Sequence, residues 1–197
     1  CTIIEDQGGQ LGLLVERFDR YYDVKKKHVN KIHQEDACQF LNRYPADKYR
    51  LSYREIAEGM ERWCTAPIPE ISQFIRLIIY SYLIGNGDLH AKNISLYVDS
   101  KSNTVQFTKA YDLVSTFVYG DNNMALHLEG KKNNLRKKYF IQFAKRFGLN
   151  SLVINNIIDE VSSVLLKNLQ NVDQIGFDNN KSKLLKNEIS KRLEDLS

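Results

Sequence analysis

Residues 70–112 lead from one wide apolar helix through a polar loop into a hairpin, and few folds accommodate that order. In Glu70 to Ile84, the residues Phe74, Leu77, Ile78, Tyr82 and Leu83 fall mainly on one wide face. That pattern predicts a helix at the centre of a core, set off by Pro67 and Pro69. It runs into Gly85-Asn86-Gly87-Asp88-Leu89-His90-Ala91-Lys92-Asn93. An alternating strand from Ile94 to Val98, a polar turn from Asp99 to Asn103 and a return strand from Thr104 to Thr108 follow. Ala110-Tyr111-Asp112-Leu113 is expected to end that second strand. This order places Asp88, Asn93 and Asp112 at one end of one small sheet.

Each residue type in that set suits a task in phosphoryl transfer. A carboxylate accepts or orients the proton of the acceptor hydroxyl, while a carboxamide oxygen and a second carboxylate can hold Mg²⁺ against the phosphates of ATP. Asp88, Asn93 and Asp112 supply these groups in the order of a kinase catalytic loop and metal-binding loop. Alone, Asp88 after Asn86-Gly87 reads as a turn residue; the ordered set outweighs that reading. Lys92 alone could simply balance the charge of Asp88. His90 reads as a packed, hydrogen-bonded core histidine rather than a general base, and Tyr111 as packing.

The remaining chain supports a small β part joined to a larger helical part, an α+β architecture. Gly8-Gly9 between β-prone runs predicts a hairpin. Tyr21 to Val29 reads as a loop, with Lys25-Lys26-Lys27 a solvated turn. His33-Gln34-Glu35-Asp36 before Ala37, Phe40 and Leu41 reads as a helix start. Ser52 with Glu55 predicts a capping box opening a helix to Cys64. Further helices are expected over Leu135 to Phe147, closed by Gly148, then Leu152 to Leu169 and Ser182 to Leu196.

Composition excludes several classes. With 43% hydrophobic residues, 26% charged and three prolines, the chain is not disordered in its main state. The most apolar run, Phe74 to Ile84, is broken by Arg76 and falls short of the ~18 residues a spanning helix needs. No membrane association and no signal peptide are expected. Cys1, Cys38 and Cys64 are odd in number and widely spaced, which argues against a disulfide scaffold and for a reducing, cytoplasmic setting. A net charge of +4 permits an acidic partner without identifying one. Lys131, Lys132, Arg136, Lys137, Lys138, Lys145 and Arg146 cluster as a solvated helix face or a docking surface for an acidic protein or a tRNA-bearing enzyme.

These motifs resemble the carboxy-terminal lobe of the HipA family of bacterial toxin kinases. Asp88-x-His90-Ala91-Lys92-Asn93 is the most specific of them. Val15-Glu16-Arg17-Phe18-Asp19-Arg20, His33-Gln34-Glu35-Asp36 with Cys38-Gln39, and Ala125-Leu126-His127-Leu128-Glu129-Gly130-Lys131 agree, over roughly residues 10–150. The resemblance implies a protein-kinase-like carboxy-terminal lobe, with residues 1–20 the end of an amino-terminal lobe and hinge and residues 21–197 the helical lobe. It implies Asp88 as catalytic base, with Lys92 helping to stabilise the transferring group. Mg²⁺ would sit on Asn93 and Asp112, and His90 to Asn93, Tyr111 and Asp112 would line the ATP site. Glu16, Arg17 and Phe18 would meet the adenine edge and Gln34 would lie near the ribose.

The implied activity is a serine/threonine kinase toxin of a type II toxin–antitoxin pair, acting on an aminoacyl-tRNA synthetase and so inhibiting translation and growth. Implied partners are a small helix-turn-helix antitoxin (HipB-like), through which any DNA contact is made, and, as in split family members, a separate small amino-terminal subunit. The chain departs from the family pattern at its start, where Gly8-Gly9 is too short and too near the hinge to cover the phosphates. A glycine-rich loop and phosphate-binding lysine are expected upstream of Cys1. The chain by itself is therefore expected to be a fragment with weak ATP binding and little turnover. Two alternatives stay open: a small-molecule phosphotransferase of the aminoglycoside or choline kinase type, and a catalytically silent lobe that binds an antitoxin.

Overall fold

Two separate antiparallel hairpins begin the chain in the computed structural model, which describes residues 2–197; Cys1 lies outside the described residues. Strands β1 (Thr2–Glu5) and β2 (Leu11–Leu14) pair from Thr2 opposite Leu14 to Glu5 opposite Leu11. Asp6 closes the turn, its Oδ1 accepting from the amides of Gly8 and Gln10 at 2.8 Å each. Strands β3 (Arg20–Asp23) and β4 (His28–Lys31) form a second hairpin. The loop expected from Tyr21 to Val29 is therefore a hairpin. Both its faces are largely open to solvent, so its strands carry no buried alternation to read. Lys25, Lys26 and Lys27 do form its turn, with Asp23 Oδ1 accepting from the Lys25 and Lys26 amides and Lys27 at a φ of 51°.

Strand β5 (Gln34–Asp36) leads into a single helical turn, α1 (Ala37–Phe40). The helix start expected from His33 is thus a strand first. Gln34 pairs across from Tyr97 and only Asp36 acts as the cap, its Oδ1 taking the Gln39 amide at 3.0 Å. Helix α2 (Tyr53–Trp63) opens with the capping box expected of Ser52 and Glu55. Helix α3 (Pro67–Ile84) starts three residues before Glu70, because proline suits a first helical turn whose amides have no partner inside the helix.

Strands β6 (Ser95–Asp99) and β7 (Thr104–Phe107) form the expected hairpin and, with β5, a three-stranded antiparallel sheet in the order β5-β6-β7. The second strand does not reach Ala110–Leu113. Thr108 makes the last sheet bond, to the Ser95 carbonyl at 3.0 Å, and Asp112 has a φ of 54°, which a strand cannot hold. Helix α4 (Lys137–Lys145) is shorter than Leu135–Phe147. Leu135 is buried ahead of the helix, and the chain leaves through Gly148 at a φ of 74°, with the Leu149 amide bonded to the Ala144 carbonyl. Helices α5 (Ser151–Asn168) and α6 (Asn179–Leu196) are capped by Asn150 and Asp178.

The core gathers around α3. Ile71, Phe74, Ile75, Leu77, Ile78, Ile79, Tyr82 and Leu83 are all buried, so apolar contact surrounds most of its circumference. Helices α2, α4, α5 and α6 and strand β7 pack on it. Among the described residues no helix is long and apolar enough to cross a membrane. Cys38 and Cys64 are free and buried, and burial pushes the Cys64 thiol up to about 12.

Arg192 of α6 fastens the end of α3. It is 3% exposed, and its guanidinium donates to the Tyr82 carbonyl at 2.6 Å, to Glu188 at 2.7 Å and to the Asn122 carbonyl at 3.3 Å. It also lies over the rings of Tyr82 and Phe117. Removing a buried charge partner strands the other. Arg192→Met should lower the unfolding free energy by about 3 kcal/mol in a urea titration, with part of the loss recovered when Glu188→Gln is added. A loss below about 1 kcal/mol, the scale of a surface pair, would show that these contacts do not hold the helix end.

Candidate functional site

The chain leaves α3 at Gly85, in the left-handed region at a φ of 72°, with the Asn86 amide bonded back to the Ser81 carbonyl at 2.9 Å. Only glycine adopts that conformation cheaply, and it turns the following residues out of the helix axis. The segment from Thr116 to Asn123 packs closely over the turn. The Gly87 amide donates to Thr116 Oγ1 at 2.8 Å, and a Cβ at Gly87 would stand 2.8 Å from the Asn123 carbonyl oxygen. Asn86, 1% exposed, accepts the Asp88 amide on its side-chain oxygen at 2.9 Å.

Asp88 is thereby presented with its carboxylate half open to solvent. Tyr49 donates its phenol proton to Asp88 Oδ1 at 2.6 Å, and His90 Nε2 lies 3.8 Å from the same oxygen. The loop backbone is held by the buried Tyr53, whose hydroxyl donates to the Leu89 carbonyl, and by the Lys48 carbonyl, which accepts the Ala91 amide at 3.1 Å. Ala91 to Asn93 form one 3₁₀ turn. Asn93 is buried, and its Nδ2 donates to the Asp88 carbonyl at 2.9 Å. That bond uses the amide nitrogen, and among the described residues the side-chain oxygen has no hydrogen-bond partner. Lys92 is exposed.

Tyr111 ties the second acidic loop to the first. Its hydroxyl donates to the Lys92 carbonyl at 2.9 Å and shares a hydrogen with Ser95 Oγ at 2.6 Å. Burial comes first among the causes that raise its pKa. Its ring meets Phe18 at 6.0 Å between centroids. Asp112 follows, exposed and in the left-handed region, where a non-glycine residue is uncommon and marks a constrained position.

The expected site residues divide into two groups. Asp88, His90, Ala91, Lys92, Asn93, Tyr111 and Asp112 share one hydrogen-bonded and electrostatically linked cluster. Of the hinge residues, Phe18 reaches it through Tyr111, while Glu16 and Arg17 are exposed. Arg17 instead clamps Asp19 with two bonds, of 2.8 and 2.7 Å, and that pairing holds the nearly buried Asp19 carboxyl below its ordinary value. Among the described residues the backbone groups of Glu16, Arg17 and Phe18 make no hydrogen bond. Gln34 stands in the sheet opposite Tyr97, its Oε1 buried without a partner. The sequence reading missed Tyr49, Ser95 and Thr116; Tyr49 sits in an aperiodic polar stretch, and no local pattern marks it.

Among the described residues no group of three or more His, Cys, Asp or Glu side chains could hold a metal. Asn93 Oδ1 and the Asp112 carboxylate fit a hard cation that takes its remaining oxygens from phosphates and water. A cavity of about 780 Å³ lies elsewhere, between α3, β7 and α5; Thr108 to Ala110 line it, but Asp88, Asn93 and Asp112 do not. Of the basic cluster, Arg146 is bonded twice to Glu129, Arg136 is paired with Asp195, and Lys132 donates to the Ala125 carbonyl.

His90 is 5% exposed, and burial, the leading cause, lowers its pKa from 6.5; Asp88 and Asp112 pull it back up and Lys48 adds to the lowering. The folded ring is therefore neutral at pH 7. As the pH falls below 6.5 the unfolded chain takes up this proton first, so stability is lost on acidification through that range. Melting temperatures between pH 7.5 and 5.5 should fall more steeply in the wild type than in His90→Gln. Parallel slopes would show that burial does not suppress His90 protonation.

The HipA-like C-terminal domain family matches residues 1–169. Y4mE of Sinorhizobium fredii, whose name assigns it provisionally to the kinases, is 31% identical over 183 residues, covering 86% of this chain and 43% of Y4mE. The serine/threonine-protein kinase toxin HipA of Shewanella oneidensis is 28% identical over 169 residues, covering 76% of this chain and 39% of the relative. The chain thus spans less than half the length of these curated relatives. A chain of the Shewanella oneidensis MR-1 toxin–antitoxin complex of HipA, HipB and operator DNA superposes with a TM-score of 0.78 at 20% identity, over 99% of this chain and 51% of that one. The proinflammatory kinase CtkA of Helicobacter pylori superposes with a TM-score of 0.51 at 13% identity, over 83% of this chain and 68% of that one. These likenesses show the fold, shared with the HipA and CtkA chains: α+β and about half helical with small antiparallel sheets, where the sequence reading expects a mostly helical lobe. With the family match running through most of its residues, the chain belongs to the HipA-like C-terminal domain family.

Proposed function

We propose that this chain is the catalytic lobe of an ATP- and Mg²⁺-dependent serine/threonine protein kinase, the toxin of a type II toxin–antitoxin pair. The observation that carries the reading is the Asn93 side chain. Its nitrogen is used by the Asp88 carbonyl, which leaves its oxygen without a partner among the described residues and available, with the exposed Asp112 carboxylate, to a cation. The acceptor oxygen attacks the γ-phosphorus as its bond to the bridging oxygen of ADP breaks. Asp88 orients the attacking hydroxyl and receives its proton, and Lys92 offsets charge on the transferring group. Bound Mg²⁺ supplies neutralisation of the phosphate charge.

Residues 1–20 belong, in this reading, to the hinge and the end of an amino-terminal lobe. Their unpaired backbone at Glu16 to Phe18 suits an adenine edge, and Gln34 the ribose. The exposure of Ile3, Leu11, Leu13 and Leu14 supports the assignment, since an isolated two-stranded ribbon is marginal in water. The phosphate-covering loop and lysine come from that lobe, on the same chain or on a small separate subunit, so the present residues alone turn over slowly. The substrate is an aminoacyl-tRNA synthetase and the setting cytoplasmic. The partner is a helix-turn-helix antitoxin that makes the DNA contact, a proposal supported by the HipA–HipB–operator assembly of the Shewanella relative.

The test uses the complete protein from its source cells with γ-labelled ATP, Mg²⁺ and cell extract. One discrete protein band should carry label, with Asp112→Asn reducing it on the order of 100-fold or more. Label confined to small molecules would replace the protein substrate with a metabolite. Equal label in the wild type and Asp112→Asn would remove the metal role of Asp112.

A further inference from the structure

Tyr49 belongs to none of the motifs that identify the site, yet it makes the one hydrogen bond to the Asp88 carboxylate among the described residues. Its own position is fixed from three sides. The 3₁₀ turn Pro45–Asp47 delivers it, and the neighbouring Lys48 carbonyl accepts the Ala91 amide, so the segment is pinned to the catalytic loop at Asp88 and again three residues beyond it. The Tyr49 ring stands edge-on to the buried His90 ring, with centroids 5.0 Å apart. Lys48 Nζ covers the ring at 4.8 Å from its centroid.

An aspartate whose carboxylate is 40% exposed would otherwise sample several rotamers. We infer that Tyr49 is a positioning residue for the phosphoryl transfer proposed above: its phenol engages Oδ1 of Asp88 and holds the carboxylate so that Oδ2 faces the acceptor hydroxyl. The inference rests on the kinase reading and deepens it. The alternative roles for a hydroxyl at this place are weaker. The bond to Asp88 is the leading cause that pushes the Tyr49 phenol up to about 12, so the proton stays on Tyr49 across the working range and the residue acts only as a donor. A phenol acting as base or as phosphate acceptor would need to release that proton. His90, buried and neutral, supports the ring rather than competing for the carboxylate.

Misplacing a reacting group by about 1 Å can cost on the order of 100-fold in rate. The complete protein from source cells, γ-labelled ATP and the acceptor protein found by labelling provide the assay. Tyr49→Phe removes only the hydroxyl at a site 46% exposed, so its melting curve should superimpose on the wild type. Its kcat should fall about 10- to 100-fold, with KM for ATP and for the acceptor unchanged within a factor of two. Combined with Asp88→Asn, the same change should have no further effect, because the group it positions is already gone. An unchanged kcat in Tyr49→Phe would overturn the positioning role while leaving the kinase reading intact, provided Asp88→Asn is inactive. A raised kcat or lowered acceptor KM would overturn it in another way, by showing that the phenol blocks the acceptor place. An Asp88→Asn protein as active as wild type, or no labelled protein from the wild type, would remove both readings together. Tyr49→Leu guards the result. If it loses the same activity as Tyr49→Phe, the hydroxyl carries the effect; if only Tyr49→Leu loses activity, ring packing does, and the inference fails.

Discussion

The end of a buried helix decides where the candidate groups stand. Helix α3 is enclosed by α2, α4, α5, α6 and β7, so it has little freedom to slide or rotate. Gly85 then turns the chain within one residue of its last turn, and Asn86, Gly87 and Asp88 are each bonded to something already fixed. Rigidity passes from the core to the loop through bonds made within a few residues of the helix end and one, from Gly87 to Thr116, that spans 29. That is the arrangement a catalytic group needs, because a site on a loop is only as well placed as the elements that support it. Arg192 completes the support from the far end of the chain, holding the last carbonyls of α3 and the 117–123 segment in one grip.

Tyr111 performs the corresponding work between the two acidic loops. The carbonyl it engages belongs to Lys92, next to Asn93, and the residue it precedes is Asp112. One phenol thus fixes the spacing between the carboxamide and the second carboxylate, the two groups assigned to a cation. Asp112 takes a left-handed backbone, a conformation open to aspartate at modest cost, between Tyr111 on one side and Thr116 on the other, both bonded to neighbouring backbone. Phe18 packs on the same ring, so a shift of the 16–18 segment would be felt at the loop that carries Asp112.

What could be read from the sequence follows the range of the interactions. The Ser52–Glu55 box, the Asp99–Asn103 turn and the Gly8-Gly9 hairpin are decided within a few residues, and each stands as expected. The order of Asp88, Asn93 and Asp112 was legible because the chemistry constrains residue types. The β3–β4 hairpin was not, since Tyr21, Tyr22 and Val29 face solvent and no burial pattern selects a strand. Gln34 to Asp36 looked helical because Asp36 is a good cap, and the strand before it depends on β6, some sixty residues away. The grip of Arg192 on Tyr82 spans 110 residues. Tyr49 reaches Asp88 across 39, from a stretch with neither periodicity nor motif. Cooperation of that range is invisible to local spacing.

The charges at the site also argue for the order in which its ligands must arrive. Asp88 and Asp112 are close enough to act on His90, as is Lys48, and His90 itself is neutral, so the cluster presents two carboxylates with a nearby cation. A triphosphate carries several negative charges, and like charges separated by a few ångströms in partly desolvated surroundings repel by several kcal/mol. In the proposed reaction ATP cannot approach Asp112 productively as a free anion. A divalent cation held by Asn93 and Asp112 would supply the positive charge that offsets this repulsion. Asp88, held apart by Tyr49 and outside the cation's donor pair, is then free to face the acceptor hydroxyl. The two carboxylates stand on different supports, Asp88 bonded to Tyr49 and Asp112 following the anchored Tyr111, and the proposed reaction would need that separation between a metal ligand and a group that orients a hydroxyl.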